Sequence, residues 1–374
     1  MKKYGVIIVG CGVVGASTAY HLSKIGKKVL VLEQYNIENN YNASYDLTRL
    51  IRYEYGDDLT YIDMAVKSFK LWRKIEKESD TKLLFPIKSI VIGEKTDDYI
   101  KKTLSTLKNL GYEVEELRGE AFQKKYPQFK ENYCIVDYNA GILEASKAVK
   151  ALVTLAKKNG VEIRENSKVT SITKGKVKLF DGTILFADKV IIVCGGWVKK
   201  VLGNDFPVKP VKAQLVFFAP KKGKENLFMS KNFPAFFFNH NLVYGFPMHG
   251  IKAVKVALDE RGELPEVDPD YHNREVEAYY VEKVKGLVKG KIPDLDYDNV
   301  VATKSCMYTT TKDNDFIIDK VDDKTIVGSF EGHGFKFSPL TGKTLANLAL
   351  GRKLPIDISR FKLNRFSKLN LTNA

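Results

Sequence analysis

Cys306 lies two residues before Tyr308, in KSCMYTTTKDNDFIID, and ahead of the apolar run at 316–319. A thiol there can serve as buried filler, nucleophile, metal ligand or covalent anchor, and its immediate neighbours do not choose among these. Three cationic positions raise a related question. Arg49 and Arg52 are three apart in SYDLTRLIRYE. On a helical turn they would share a face, and two guanidiniums that close call for an anion; the same spacing also suits two solvated surface arginines. Lys255 stands between Ala253 and Ala257 on one face of the run AVKVA. It can reach into a cavity or simply face water. Lys336 follows Gly334 in EGHGFKFSP, immediately before a helical pattern whose N-terminus favours negative charge.

The strongest chemical signal is YGVIIVGCGVVGASTAYHLSKIGKKVLVLE, residues 4–33. Gly10, Gly12 and Gly15 stand in G-x-G-x-x-G spacing between an apolar, β-branched run at 6–9 and a helical pattern carrying Val14, Thr18, Leu22 and Ile25 on one face. Gly10 makes the tight turn, Gly12 lets backbone approach a pyrophosphate on the helix N-terminus, and Gly15 allows close helix–strand packing. Glu33 ends the next strand, 29–32, where it can accept ribose hydroxyls. Strand, helix and acidic residue together mark a dinucleotide site without separating NAD from FAD.

Other elements must hold these groups in place. Helical periodicity predicts a core-facing helix over 59–78, with Ile62, Val66, Phe69, Trp72 and Ile75 as its apolar stripe. A second helix is predicted over 97–110, closed by Gly111, and a third from a Ser146 cap to Asn159, closed by Gly160. Strands follow at 168–173, 176–180, 183–186 and 190–193, the last running into Gly195-Gly196-Trp197. From 207 to 300 short apolar strands joined by tight turns predict an antiparallel sheet. Residues 325–330 form a strand, and a helix runs from Pro339 to Leu350 with Ser338 as its cap. The fold class is α/β: a Rossmann-like β-α-β domain with an interleaved antiparallel-sheet domain. The boundaries are 1–84, 140–206 and 301–374 for the first, and 85–139 and 207–300 for the second.

The chain has 374 residues, enough for two packed domains, and a globular composition with 44% hydrophobic residues. Its net charge of +15 favours anionic ligands. The lysines are spread along the chain beside acidic residues, so small anions are expected rather than nucleic acid. Four cysteines, Cys11, Cys134, Cys194 and Cys306, have neither zinc-like spacing nor the density of a disulfide framework, so no metal is expected. The apolar N-terminus looks like a secretory leader, but its glycines assign it to the nucleotide site. No other run approaches a membrane span, and a cytoplasmic protein is expected. Asn-x-Ser/Thr strings at 42 and 370 carry no weight without secretion.

Taken along the whole chain, the strings TRLIR at 48–52, YGFP at 244–247, CMY at 306–308, FIID at 316–319 and GHGFKFS at 332–338 resemble the FAD-dependent amine oxidoreductases of the D-amino-acid-oxidase superfamily, in the group of monomeric sarcosine oxidase and N-methyltryptophan oxidase. The resemblance implies FAD, joined covalently through Cys306 to the 8α-methyl of the flavin, provided nearby cations make the thiolate available. It implies that Arg52 and Lys336 grip a substrate carboxylate. It gives Lys255 a role in the reaction with oxygen, lays Arg49 against the flavin, and lines the substrate cavity with Tyr244 and Tyr308. The cofactor contacts it implies begin with Gly10, Gly12, Val13, Val14 and Gly15. They continue through Glu33, Gln34, Ser44, Thr48 and Val169 to Gly195, Trp197, Gly332, Gly334 and Phe335.

Two positions depart from that pattern: Tyr45 and Asp259 stand where sarcosine oxidases carry histidines. Placed among the catalytic residues, Tyr45 cannot be a cation near neutral pH, and Asp259 brings a carboxylate near the amine. A bulkier or cationic secondary amine is then favoured over sarcosine. The expected reaction is oxidation of the C–N bond of a secondary α-amino acid, with O2 reduced to H2O2. The alternatives are a proline, pipecolate or D-amino-acid dehydrogenase serving a quinone or carrier, and a non-catalytic flavin-binding subunit. A nicotinamide enzyme is disfavoured by the second Gly-rich strand end. The oligomeric state stays open between monomer and homodimer.

Overall fold

The apolar run after the N-terminal lysines becomes the strand Lys3–Val9, buried because it is central in a sheet and covered on both faces. The computed structural model describes residues 3–260 and 264–366, so the string at 370 lies outside them. Among the described residues there are two sheets, one of eight strands and one of nine. In the first, Lys3–Val9 pairs in parallel with Val29–Leu32 and Ile184–Ile192. Thr325–Ser329 continues it in parallel beyond Ile184–Ile192, and Glu162–Arg164 does so beyond Val29–Leu32. Ile317–Lys320, Lys176–Leu179 and Val169–Thr173 extend it by antiparallel pairing. Three helices, Val13–Ser23, Ala145–Lys158 and Ser338–Ala349, pack together on this sheet, the first touching both others. This is the predicted nucleotide-binding layer.

The second sheet runs Leu295–Thr310, Lys209–Pro220, Val254–Leu258, Val243–Phe246, Ala235–Phe238, Leu84–Ile92, Tyr133–Glu144, Thr48–Ile51, with Val114–Arg118 beside Tyr133–Glu144. It is antiparallel as predicted except at one pair: Ala235–Phe238 lies parallel to Leu84–Ile92. A parallel neighbour needs a long crossover, and the chain between these two strands supplies it. Phe129, Phe233, Phe236 and Phe238 fill the core on one side of this sheet, beside the helix Ala278–Val288. As the alternation predicted, Val254, Val256 and Leu258 join that core, and Ala253 and Ala257 face the other way.

Three local expectations change. Arg49 lies in the strand Thr48–Ile51 and Arg52 just beyond it, not on a helical turn. Apolar Leu50 and Ile51 between them suit a strand paired with Tyr133–Glu144. Ser146 is inside its helix, whose cap is Glu144, because its hydroxyl instead donates to the Asp46 carbonyl at 3.0 Å. Ser338 is the first helical residue rather than the cap, since a 3-10 turn over Gly334–Phe337 leads directly into it.

The stripe predicted for 59–78 is the helix Leu59–Ser79, capped by Asp58, which accepts the Tyr61 N–H at 3.1 Å. Trp72 is fully buried on it, and its Nε1 donates to the Lys336 carbonyl at 2.9 Å. A core residue thereby fixes the turn that carries a candidate ligand-binding lysine.

Candidate active site

Backbone conformation builds the first cavity. Gly10 has φ of 101°, a region that side chains disfavour. A Cβ on Gly15 would lie 2.0 Å from the Gly10 carbonyl oxygen, so the helix Val13–Ser23 can start only where it does if Gly15 has none. Ser44 Oγ accepts the Val13 N–H at 2.9 Å at that helix's start. Glu33 accepts the Cys11 N–H at 2.7 Å and the Tyr35 N–H at 3.2 Å. Burial still pushes its carboxyl above the ordinary range. The groove continues past Gly12, Val14, Gln34, Val169 and Gly195 to Gly334. Trp197 also lines it, tied by Nε1 to Asp270 Oδ1 at 2.8 Å. Ser329 Oγ, on the groove wall, is buried without a partner in the protein. A glycine cradle on a helix N-terminus, a carboxylate at the second strand's end and a spare buried hydroxyl together fit a dinucleotide.

Side chains from distant segments build the second cavity, of about 470 Å³. Arg49, Tyr308, Gly332 and Phe335 line both cavities, so the two meet at one wall. Arg52, Lys336, Lys255, Tyr244, Asp259 and Cys306 line the second. Two cations bracket one ring there: the Arg52 guanidinium lies 5.0 Å and Lys336 Nζ 5.3 Å from the Tyr55 centroid. Lys336 donates to the Tyr55 hydroxyl at 2.8 Å. Arg52 donates to the Glu54 carbonyl, and lies 3.3 Å from the Tyr99 hydroxyl and 3.4 Å from Glu54 Oε2. This pair is placed to bind an anion in a confined space.

Lys255 is buried and lies 4.6 Å from the Phe246 centroid. Its ammonium donates to Asp46 Oδ2 at 2.6 Å, to the Thr48 carbonyl at 3.1 Å and to Thr48 Oγ1 at 3.4 Å. Thr48 thus touches the site through Lys255 and lines neither cavity. Asp46 also accepts from Arg49. Burial opposes ionisation of Asp46, but Lys255 and Arg49 outweigh it and hold the carboxyl far below its usual range. Tyr244 and Tyr308 join their hydroxyls at 3.2 Å, and burial raises both phenols. The Cys306 thiol corrects one expectation: burial pushes it up by more than Arg49 and Lys255 pull it down.

Tyr45 stands apart. Its ring is partly exposed, 4.4 Å from Lys304 Nζ, and it lines neither cavity. Asp46, Glu54, Tyr55 and Tyr99 were not foreseen. Asp46 had a signal, an acid three residues before Arg49. Glu54 and Tyr55 follow Arg52 by two and three positions, and only Tyr99 is brought to it by the fold alone. Among the described residues no cluster of His, Cys, Asp and Glu is arranged to hold a metal ion.

A family model described as "FAD dependent oxidoreductase" matches residues 5–348. The chain is 31% identical to monomeric sarcosine oxidase of Arthrobacter sp. (strain TE1826), covering 97% of each. It is 27% identical to N-methyl-L-tryptophan oxidase of Citrobacter koseri, covering 98% of this chain and all of that one. The fold is shared with L-proline dehydrogenase from P. horikoshii, with a TM-score of 0.84 at 19% identity over 98% of each chain.

Proposed function

The chain belongs to the FAD-dependent oxidoreductase family, and from that premise we propose that it oxidises the C–N bond of a secondary α-amino acid. The observation that carries this reading is the pair Arg52 and Lys336 around Tyr55, in a cavity that shares a wall with the dinucleotide groove. Bound in that groove, FAD supplies the acceptor for the two electrons leaving the substrate, and O2 is the final acceptor, giving H2O2.

The residues of the chain do the rest. Arg52 offers a planar fork and Lys336 a point charge to the substrate carboxylate, fixing its orientation against the shared wall. The partly buried Tyr244–Tyr308 pair lines one side of the cavity. Aromatic rings dominate the cavity, among them Tyr99, Phe237, Tyr244 and Phe246. With Asp259 in its wall and a volume of about 470 Å³, it suits a ring-bearing or otherwise bulky amine better than sarcosine. The carbon–nitrogen bond becomes an imine, which water hydrolyses or, for a cyclic imino acid, leaves as a ring. Lys255 places a cation where reduction of O2 builds negative charge.

Covalent attachment through Cys306 is supported by its place in the cavity beside Arg49 and Lys255 and by the absence of a disulfide. Burial raises the Cys306 thiol, so the cations Arg49 and Lys255 beside it would have to favour the thiolate for such an attachment. In this reading the cofactor domain is drawn from 1–84, 140–206 and 301–374 and the substrate domain from 85–139 and 207–300, although the strands Tyr133–Glu144 and Leu295–Thr310, which straddle two of those bounds, pair wholly in the second sheet. Strand Thr48–Ile51 pairs in the second sheet and carries Arg49 to the shared wall. Four unpaired cysteines support a cytoplasmic setting, and no described helix is long and apolar enough to cross a membrane.

The test is anaerobic bleaching of the flavin band by sarcosine, N-methyltryptophan, proline and pipecolate. Bleaching by at least one, faster for the bulkier amines, with H2O2 on readmitting air, is expected. Bleaching without peroxide would move the reading to a dehydrogenase; no bleaching by any would leave a flavin-binding subunit. Acid precipitation followed by peptide mass mapping should find flavin on the peptide containing Cys306, and flavin in the supernatant would remove that attachment.

A further inference from the structure

Lys255 has three N–H donors, and all three are directed at acceptors within the protein. The shortest is Asp46 Oδ2, which Arg49 shares, and Lys304 Nζ lies 3.7 Å from Asp46 Oδ1. Asp46 is itself buried and locked from three sides: its Oδ1 accepts the Leu47 N–H at 2.7 Å, and its carbonyl accepts the Ser146 N–H and hydroxyl. One carboxylate therefore sits among three cations, of which Arg49 belongs to the wall where the cavities meet and Lys255 lines the second cavity. We propose that Asp46 is the positioning residue that keeps Lys255 charged and holds its ammonium beside Arg49 at the edge of the second cavity. This rests on the oxygen-directed role given to Lys255 above and goes beyond it, since Asp46 touches neither cavity.

The electrostatics around Lys255 agree. Burial lowers its pKa, Arg49 lowers it further, and Asp46 is the main influence raising it. From the neighbouring strands Lys255 meets Arg49, Cys306 and the Phe246 ring, with Phe217 opposite it in register. Tyr244 and Tyr308 act on Arg49, beside Asp46 and Cys306. Asp46 is the group whose loss would leave the ammonium with hydrogen bonds but no counter-charge. A cation with a lowered pKa is lost as pH rises, so removing Asp46 moves that loss to lower pH.

The experiment compares wild type with Asp46→Asn, Asp46→Glu, Lys255→Met and the double variant Asp46→Asn/Lys255→Met, all as flavin-loaded protein. Stopped flow gives the rate of reoxidation by O2 against pH, and a redox titration gives the flavin midpoint potential against pH. Asp46→Asn should shift the alkaline fall in reoxidation down by about one pH unit or more and slow it about tenfold at mildly alkaline pH. It should also put a break in the potential–pH plot at the same place. Asp46→Glu should restore most of both, and the double variant should show neither pH break. An unshifted fall and an unbroken plot in Asp46→Asn would overturn the inference. If Lys255→Met does not slow reoxidation, the oxygen role fails, and the potential–pH plot alone still decides whether Asp46 sets the charge of Lys255. Should Asp46→Asn not fold, the comparison of Asp46→Glu with the double variant, which lacks the stranded ammonium, carries the test.

Discussion

The two cavities share a wall, yet one is shaped by backbone and the other by charge. In the dinucleotide groove the decisive features are what is missing: no side chain at Gly10, Gly12 or Gly15. Its cradle is mostly backbone, with Glu33 and Ser44 as the side chains that fix it, so spacing is most of what needs to be specified. The second cavity instead gathers Arg49, Arg52, Lys255 and Lys336 from three separate segments, and each needs a partner to be tolerated away from water. Asp46, Glu54, Tyr55 and Thr48 are those partners. A site made of backbone tolerates little change in shape, and a site made of charge tolerates little change in partners.

The largest expected effect tests the first half of that contrast. Gly15→Ala forces a methyl to 2.0 Å from the Gly10 oxygen, a backbone atom that cannot rotate away. The helix start must move, costing about 1–3 kcal/mol, and most bound flavin should be lost, read from the ratio of flavin to protein absorbance. Gly12→Ala meets only the Ser44 hydroxyl at 3.1 Å and should keep more flavin. Equal loss in both would mean that the close approach at Gly15 is not what shapes the groove.

Next comes the cavity. If Arg52 grips the substrate carboxylate as proposed, Arg52→Ala removes a charge-assisted contact worth about 1.5–3 kcal/mol, so KM should rise about ten- to a hundredfold. Flavin content should stay at the wild-type level, because Arg52 does not line the groove. Steady-state kinetics with bleaching titrations would show it. A fall in flavin content together with the rise in KM would show that the two cavities do not bind independently.

This difference in construction also explains what could be read from the sequence. The groove was legible down to Gly10, Gly12, Gly15 and Glu33, because a tight turn, a close approach and a strand end each demand one residue type at one spacing. The helices Leu59–Ser79 and Ser338–Ala349 were legible because burial imposes a period. Arg49 and Arg52 were found but placed on the wrong element, since a spacing of three fits a helix face and also a strand that bends out of its sheet. Glu54 and Tyr55 were missed although they follow Arg52 by two and three positions, whereas Tyr99 could not be found: it reaches Arg52 across 47 positions, and no local pattern records such a pairing. The single parallel pair in the second sheet escaped for the same reason. Family likeness supplied roles for Arg52, Lys336 and Cys306, but not the buried acid under Lys255.

A smaller effect probes the charge beneath the cavity. Asp137 is buried, accepts the Tyr53 N–H at 2.9 Å next to Glu54, and has its carboxyl pushed up to about 7, first by burial and then by Glu54. The native state keeps this proton until about pH 7, whereas the unfolded chain releases it near pH 4. Between those values the native state binds more protons, so this group's contribution to stability falls as pH rises. Asp137→Asn should remove that slope. Its melting temperature relative to wild type should climb by a few degrees from about pH 4 to about pH 7. A constant difference across the range would mean that Asp137 is ionised throughout, held so by the hydrogen bonds it accepts from Tyr53 and Asn139.

The smallest effect joins the two kinds of construction. Trp72 belongs by period and burial to the core stripe, yet its Nε1 holds the Lys336 carbonyl at 2.9 Å, and its ring stacks 6.1 Å from Phe335 on the shared wall. Trp72→Phe keeps an aromatic ring but deletes the donor, leaving a buried carbonyl short of one bond. A loss of about 1 kcal/mol is expected in denaturant unfolding. The functional trace should be a rise of a few-fold in KM with kcat nearly unchanged, because Lys336 would be positioned less firmly while the groove stays intact. A loss of stability without any change in KM would make Trp72 core alone. A fall in kcat would mean that Phe335 transmits the change to the flavin side, and that the shared wall belongs to the groove more than to the cavity.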